Sequence, residues 1–412
     1  MKKLQSTAIW LTATLFALYE LFITNGFYGV SLALQQHDLN LPAGATGTLA
    51  AVASLIYAIC QIPAGILVSR FSIKFILTLC SALVALGMGI YFKATGIDGL
   101  ILGRMVIAVG SSFAFVSVAI LISRWLPREK FSLYYGLTQC LGNISVVCAN
   151  MFLPQIINFV HGWRSMSMIL AIAGAIIAVI IFIVIKTNPA AHSTAIVEPQ
   201  SNASIFGLLK KLISNQQFWI VNLFAGLMLG TLFNFGANWL IGFQNYFDGN
   251  NLPHSALVSS ILFLGVAVGN PIVGALSLRF ETRKKFFVFG SISSALLMGI
   301  LVFTTLNSGL ALVLYFLLGL GLSTTFLCYS VIMEILPNEL QGLGVGLCNT
   351  VVYFSGAVLS IVIGTILHEE LSALVGNSAN ILFEQRVGLA LFFFTLIQAF
   401  TISLFIKESF KK

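Results

Sequence analysis

Apolar runs recur along the whole chain, each about as long as a helix needs to cross a bilayer, and short charged or Pro/Gly/Asn-rich segments cut them apart. No other feature of the sequence narrows the fold so far. A hydrocarbon core of about 30 Å takes roughly 20 helical residues. Inside it, an unpaired backbone amide finds no water, so the runs must be helices, which bond their own N–H and C=O groups. Twelve such runs lie near 8–33, 44–68, 73–93, 98–123, 131–157, 165–186, 216–245, 255–278, 285–304, 308–333, 341–367 and 387–406. Only 8% of the residues are charged and 58% are hydrophobic. A soluble protein carries about 25% charged residues, and this chain could not clothe a water-facing surface.

Met1-Lys2-Lys3 followed by an apolar run has the look of a signal peptide. The run continues past Glu20 to about Val30, too long for a signal h-region, and no small-x-small cleavage site closes it. It is therefore expected to stay as the first span. The longest polar interval, 187–215, separates six spans from six. The expected organisation is a bundle over 1–186, a cytoplasmic linker over 187–215 and a second bundle over 216–412. With both termini in the cytoplasm, 17 Lys and Arg fall inside and only Lys93, Arg164 and Arg386 outside, with Arg104 left within a span. That is the positive-inside arrangement.

The two halves echo each other. Gly65, Ser69, Arg70 and Lys74 follow span two; Gly274, Leu278, Arg279 and Arg283 follow span eight, 209 residues later. Trp125-Leu126-Pro127-Arg128-Glu129 is matched 210 residues on by Ile335-Leu336-Pro337-Asn338-Glu339. Two separate features with nearly one offset indicate duplicated halves, as in many transporter folds. The expected fold is an all-α membrane protein of twelve transmembrane helices in two pseudo-symmetric six-helix bundles.

Several functions are excluded. The net charge is +8, but Lys and Arg sit in short gaps rather than on one basic face, so nucleic acid is not expected. The six cysteines lie within apolar runs without a CxxC pair, and read as small hydrophobes. The five histidines fall between runs in no ligand pattern, so neither a metal nor any other cofactor is expected. No phosphate-binding loop of the Walker type is present, which argues against ATP-driven pumping. A membrane enzyme would need a catalytic cluster, and none is found, so no enzymatic activity is expected.

The repeated segments resemble the major facilitator superfamily. Gly65, Leu67, Arg70 and Lys74 match its pattern between spans two and three, Gly-x-Leu-x-Asp-Arg-x-Gly-Arg-Lys/Arg. Ser69 replaces the Asp there and Leu278 replaces it in the second half. Gly103-Arg104 with Gly110 resembles the family's fourth-span motif with a membrane Arg, and Ser123 to Glu129 and Gly162-Trp163-Arg164 resemble its 4–5 and 5–6 connections. Tyr19-Glu20 and the passage from Asn238-Trp239-Leu240 to Asn270-Pro271 look like the branch of bacterial phagosomal-nutrient, sugar and organic-anion, and lysosomal dipeptide carriers. The resemblance implies a cytoplasmic gate built on Gly65, Arg70, Lys74, Gly274 and Arg279. It also implies a central cavity lined by spans one, four, seven and ten. Span five lacks the Gly-Pro-Gly pattern of proton-driven drug antiporters.

Only Glu20 and Arg104 are ionisable residues deep within spans. Such a charge costs about 2.5–3.5 kcal/mol on insertion scales, so it marks a cavity, a partner or both. Glu20 lies about 12 residues into its span, roughly 18 Å, and Arg104 about 6 residues from the outer end, roughly 9 Å. Arg104 could reach the Glu20 carboxylate in a structural ion pair, or hold a substrate carboxylate while Glu20 takes a proton or faces a substrate cation. One charge of each sign suits a zwitterion. Further substrate- or proton-binding candidates share helical faces: Glu20 with Thr24 and Tyr28, Tyr57 with Gln61, Gln139 with Asn143, Asn234 with Asn238, Thr325 with Tyr329, and Asn349 with Tyr353. Each pair could equally bond helix to helix.

The sequence thus points to a secondary active or facilitative carrier of a small polar organic solute (an amino acid, a small peptide or an organic anion), with or without protons. It would work by alternating access, as a monomer in a bacterial inner membrane. A non-transporting receptor or scaffold, or a drug or siderophore exporter, stays open as an alternative.

Overall fold

A computed structural model describes residues 2–41, 44–126, 131–186, 212–247, 251–304, 306, 308–336, 338–365 and 379–410. The described residues form helices and turns, without strands. In chain order the helices are α1 (Lys2–Leu21), α2 (Tyr28–Asp38), α3 (Ala45–Arg70), α4 (Ile73–Lys93), α5 (Ile97–Ser111), α6 (Ala114–Trp125), α7 (Phe131–Phe159) and α8 (Trp163–Val184). They continue with α9 (Gln216–Asn234), α10 (Leu240–Phe247), α11 (Leu252–Arg279), α12 (Lys284–Phe303), α13 (Ser308–Ser323), α14 (Leu327–Ile335), α15 (Asn338–Thr365) and α16 (Ala379–Ser403). Four pairs are single rods broken once: α1/α2, α5/α6, α9/α10 and α13/α14.

Among the described residues, eleven rods are long and apolar enough to cross a membrane. The twelfth, α16, carries a shorter apolar stretch, Val387–Ser403. Caps set some boundaries. Asn215 accepts the backbone N–H of Phe218 (3.1 Å) at the start of α9, and Asn251 that of His254 (3.2 Å) at the start of α11. These side chains satisfy amides that the first helical turn leaves unbonded. Between α7 and α8 the chain turns through Gly162 at φ 124°, a left-handed conformation that glycine adopts without strain.

Burial does not follow hydropathy. α8 has the highest mean hydropathy, 3.0, yet only 33% of its window is buried; Gln216–Asn245 has 1.6 and is 72% buried. Phe75, Leu79, Ile183 and Phe289 are exposed. In water such a surface would aggregate. Facing lipid tails, an apolar helix such as α8 can stand on the outside, while Gln216–Asn245, with its polar residues, lies in the interior.

Buried apolar side chains group into two clusters. One is drawn from Ile9 to Ile185 with Ile241 and Ala256, the other from Leu212 to Ile406 with Val146. Glycines set the closest approaches: a Cβ on Gly265 would strike Phe316 O, and one on Gly319 would strike Leu262 O, so α11 and α13 cross almost backbone to backbone. The expectation that all histidines lie between helices needs correction. His37 ends α2 and His254 opens α11, because both helices run past their apolar stretches into polar residues. His192 and His368 lie outside the described residues. The six cysteines are free, with Cys148 exposed rather than buried.

Candidate functional site

The four broken rods break near mid-length. α1 and α2 are joined by a π turn, Phe22–Phe27, in which the Tyr28 N–H bonds Ile23 O. α9 and α10 are joined by another, Phe235–Trp239, in which the Leu240 N–H bonds Phe235 O. α5 gives way to α6 at Ser112 and Phe113, and α13 to α14 through a 3₁₀ turn at Thr324–Phe326. Each break in the first half has a counterpart in the second. Single π turns inside α-helices are frequently found at functional sites.

Beside these breaks lies a cavity lined by Glu20, Thr24, Asn25, Ala53, Ser54, Tyr57, Arg104, Ile107, Ala108, Gly230, Phe233, Asn234, Asn238, Val352, Tyr353 and Gly356. Both halves supply the wall. Seven of the sequence candidates are thereby brought together: Glu20, Thr24, Tyr57, Arg104, Asn234, Asn238 and Tyr353. Asn25 and Ser54 were not singled out from the sequence. Asn25 follows Glu20 by five residues, which an α-helix turns away; the π turn, bonding i to i+5, brings that position back to the same face.

Glu20 is 2% exposed and Arg104 5%. Among the described residues no ion pair joins them. Thr24 Oγ1 shares its hydrogen between Glu20 O at 3.0 Å and Glu20 Oε1 at 3.3 Å, and Glu20 Oε2 is buried without a hydrogen-bond partner. The Arg104 guanidinium lies over the Tyr28 ring, its carbon 3.7 Å from the centroid, and its Nε has no partner. Tyr28 in turn donates to Thr46 O at 3.3 Å. Thus the structural ion pair considered from the sequence does not form. Tyr28 holds Arg104 without neutralising it.

On the opposite wall, Asn234 Nδ2 donates to Ser360 Oγ (2.7 Å) and to Gly356 O. Two acceptors fix the amide, and Asn234 Oδ1 is buried and unbonded. The Tyr57 and Tyr353 rings meet across the halves with centroids 3.9 Å apart and planes tilted by 32°, and Phe233 lies parallel to Tyr353 at 6.1 Å.

Gln139, Asn143, Tyr329 and Asn349 do not line this cavity among the described residues. Gln139 donates to Tyr135 Oη (3.2 Å) and Asn143 to Gln139 O (3.0 Å) within α7. Tyr329 donates to Asn349 Oδ1 (2.7 Å), Asn349 to Gln61 Oε1 (3.3 Å), and Gln61 to Ser112 O (3.2 Å). That chain runs from α14 through α15 and α3 to the α5/α6 break and bridges the halves.

Away from the termini, small residues bring the halves together. Added Cβ atoms on Gly29 and Gly47 would strike Ala237 O and Ser360 O respectively, and Gly47 also faces Gly364. Asn150 donates to Ser259 Oγ at 2.9 Å in the same region. There Arg164 and Trp163 both donate to Asp38, tying α8 to α2.

At the side of the termini, Lys74 Nζ sits 4.1 Å above the Phe182 ring. The side chains of Gly65 and Arg70 lie outside the described residues. Gly274 has open space around its Cβ position, and Arg279 is exposed at the end of α11. Arg283, which the gate reading missed, is buried on this side. It donates to Glu334 Oε1 at 2.9 Å and to Ser277 Oγ at 2.7 Å. The 209-residue offset from Lys74 was the signal for it. Glu408 then caps α12, accepting from Thr282 Oγ1 (2.6 Å) and the Arg283 N–H (2.9 Å). Burial by itself would push the Glu408 carboxyl up; the bonds from Thr282 and from the backbone N–H groups of Arg283, Phe410 and Lys284 outweigh it and hold it below the usual carboxylate value.

A family model described as Major Facilitator Superfamily matches residues 11–360. The chain belongs to that superfamily. It is a multi-pass membrane transporter of that superfamily. It is 24% identical over 371 residues to the "Probable galactarate/D-glucarate transporter GudP" of Bacillus subtilis (strain 168), covering 81% of this chain and 79% of that protein. It is 23% identical over 287 residues to the "Probable L-galactonate transporter" of Escherichia coli (strain K12), covering 66% of this chain and 61% of that protein. A bacterial homologue of the human lysosomal transporter Spinster, solved inward-facing and unoccupied, superposes with a TM-score of 0.77 at 16% identity, covering 98% of this chain and 96% of its own. The nucleoside transporter NupG superposes with a TM-score of 0.73 at 16% identity, covering 97% and 99%. The two solved structures speak for the fold alone.

Proposed function

We propose that this superfamily member carries a small, carboxylate-bearing organic solute across the membrane by alternating access, with Arg104 holding the carboxylate. One observation carries the reading: two opposite charges, Glu20 and Arg104, line one central cavity, both buried and neither paired with the other. A buried charge without a counter-ion costs several kcal/mol of lost hydration, on the order of the net stability of a domain. Such a cost is tolerated where a bound solute supplies the missing partner. Glu20 either takes a proton or faces the cationic end of the solute. The relatives named as sugar-acid transporters carry solutes with carboxylates, which agrees with a fixed cation in the wall.

The bundles 1–186 and 216–412 are the rocking bodies in this proposal, joined by the linker 187–215. Gly29, Gly47 and Asn150 are contacts of the closed outer side, and Arg283 with Lys74 and Arg279 belongs to the gate on the cytoplasmic side, where both termini lie. The protein acts as a monomer in a bacterial inner membrane.

Uptake into proteoliposomes tests this. A radiolabelled amino acid, dipeptide or D-glucarate should accumulate or exchange with wild type and not with Arg104→Ala. Equal rates for the two proteins, or no exchange of any of the three solutes, would remove the proposal.

A further inference from the structure

The unbonded atoms of the cavity are not equivalent. Two are acceptors, Glu20 Oε2 from the π-turn rod α1/α2 and Asn234 Oδ1 from the π-turn rod α9/α10. One is a donor, Arg104 Nε. Both acceptor residues are 2% exposed, so bulk water does not compensate them. The direction of the Asn234 amide is not free either. Its Nδ2 meets Ser360 Oγ and Gly356 O, both of which can accept, so Oδ1 is left as an unbonded acceptor on a cavity-lining residue. Glu20 likewise has one oxygen engaged by Thr24 and one left over.

We infer that the solute carries a protonated amine, held between Glu20 Oε2 of the first half and Asn234 Oδ1 of the second, while its carboxylate meets Arg104. This rests on the carrier reading above and narrows its substrate to zwitterions: α-amino acids or short peptides. An ammonium group has three N–H donors and no acceptor, which matches a pair of orphaned acceptors. It also neutralises Glu20, which a hydroxyl does not. A sugar diacid would set a second carboxylate against Glu20 and leave both acceptors opposed by negative charge. On this point the chain departs from the solutes named for its curated relatives. Because the two acceptors belong to opposite halves, the amine also links α1/α2 to α9/α10 when bound.

Thermal-shift and counterflow measurements on the full-length purified protein test the inference with matched probes. The probes are L-leucine and L-alanyl-L-leucine, their N-acetyl derivatives, the 2-hydroxy analogue of leucine, and D-glucarate. A free-amine probe should raise Tm and exchange in proteoliposomes, with at least a tenfold weaker response from its N-acetyl or hydroxy counterpart. Glu20→Gln and Asn234→Leu should each weaken that response at least tenfold. A response to D-glucarate or the hydroxy acid equal to or above that of the amine probes overturns the zwitterion inference and leaves the carrier reading standing. No response to any probe overturns both. If either variant fails to fold, the comparison of probes on wild type still decides.

Discussion

The guanidinium carbon of Arg104 lies 3.7 Å from the centroid of the Tyr28 ring, and the residue after Tyr28, Gly29, packs against Ala237 of the opposite half. Two consecutive residues, Tyr28 and Gly29, therefore join Arg104 in the cavity wall to the contact that brings the halves together away from the termini. A guanidinium over a ring gains about 0.5–2 kcal/mol and stays fully charged. Arg104→Lys keeps the charge and loses the flat stacking geometry. Transport should fall at least tenfold with normal amounts of folded protein by size-exclusion chromatography. Tyr28→Phe, which keeps the ring, should retain most of the rate. A fully active Arg104→Lys protein would contradict this account.

Glu20 offers a separate check through stability. A structural ion pair is weakened when one partner is neutralised. An uncompensated buried carboxylate behaves in the opposite way, since removing its charge relieves the desolvation cost. Glu20→Gln should leave Tm unchanged or raise it by a few degrees while solute affinity drops. A Tm well below wild type would mean that Glu20 serves the fold.

Gly47 sets the approach of α3 to α15, where an added Cβ would meet Ser360 O and Gly364. Gly47→Val should push these helices apart at about 1–3 kcal/mol of strain. The conformer closed on that side should lose population. Pulsed electron-spin distances between labels on α2 and α10 should lengthen in the variant, and identical distance distributions would refute the assignment.

The C-terminal segment has its own signature in pH. Glu408 has a depressed carboxyl, so its capping of α12 contributes fully above the unfolded-state value, about 4.3. The contribution is lost as the pH falls through the folded value. Acid should therefore lower Tm more in wild type than in Glu408→Gln, with the two curves converging at low pH. The gap above that range should be small because Glu408 is largely exposed. Arg283→Ala, which leaves the partly buried Glu334 carboxylate with Ser409 Oγ and without its cation, should cost more, about 1–3 kcal/mol. Parallel melting curves for wild type and Glu408→Gln at every pH would sink the capping argument.

Much of the fold was legible beforehand because lipid imposes a simple rule. A run such as Ile73–Lys93 has to be a helix, and the structure ends it at the residues the sequence suggested. Burial was harder to read, since α8 and α9 are both apolar and only one is interior. Among site candidates, Glu20 and Arg104 stood out because charge at that depth is expensive. Gln139 and Asn143 share a helical face just as Asn234 and Asn238 do, yet their hydrogen bonds stay within α7. Spacing along one helix does not say which neighbour the face will meet.

Sequence alone determined the class of solvent, the helices, the duplicated halves and the two charges that need an explanation. Those depend on composition and period, which are local quantities. The tertiary structure decided that Arg104 rests on Tyr28 instead of Glu20, that Asn25 joins the cavity through a π turn, and that Arg283 rather than Arg279 is buried on the side of the termini. Each of these depends on where a second helix happens to pack, and no single segment carries that information.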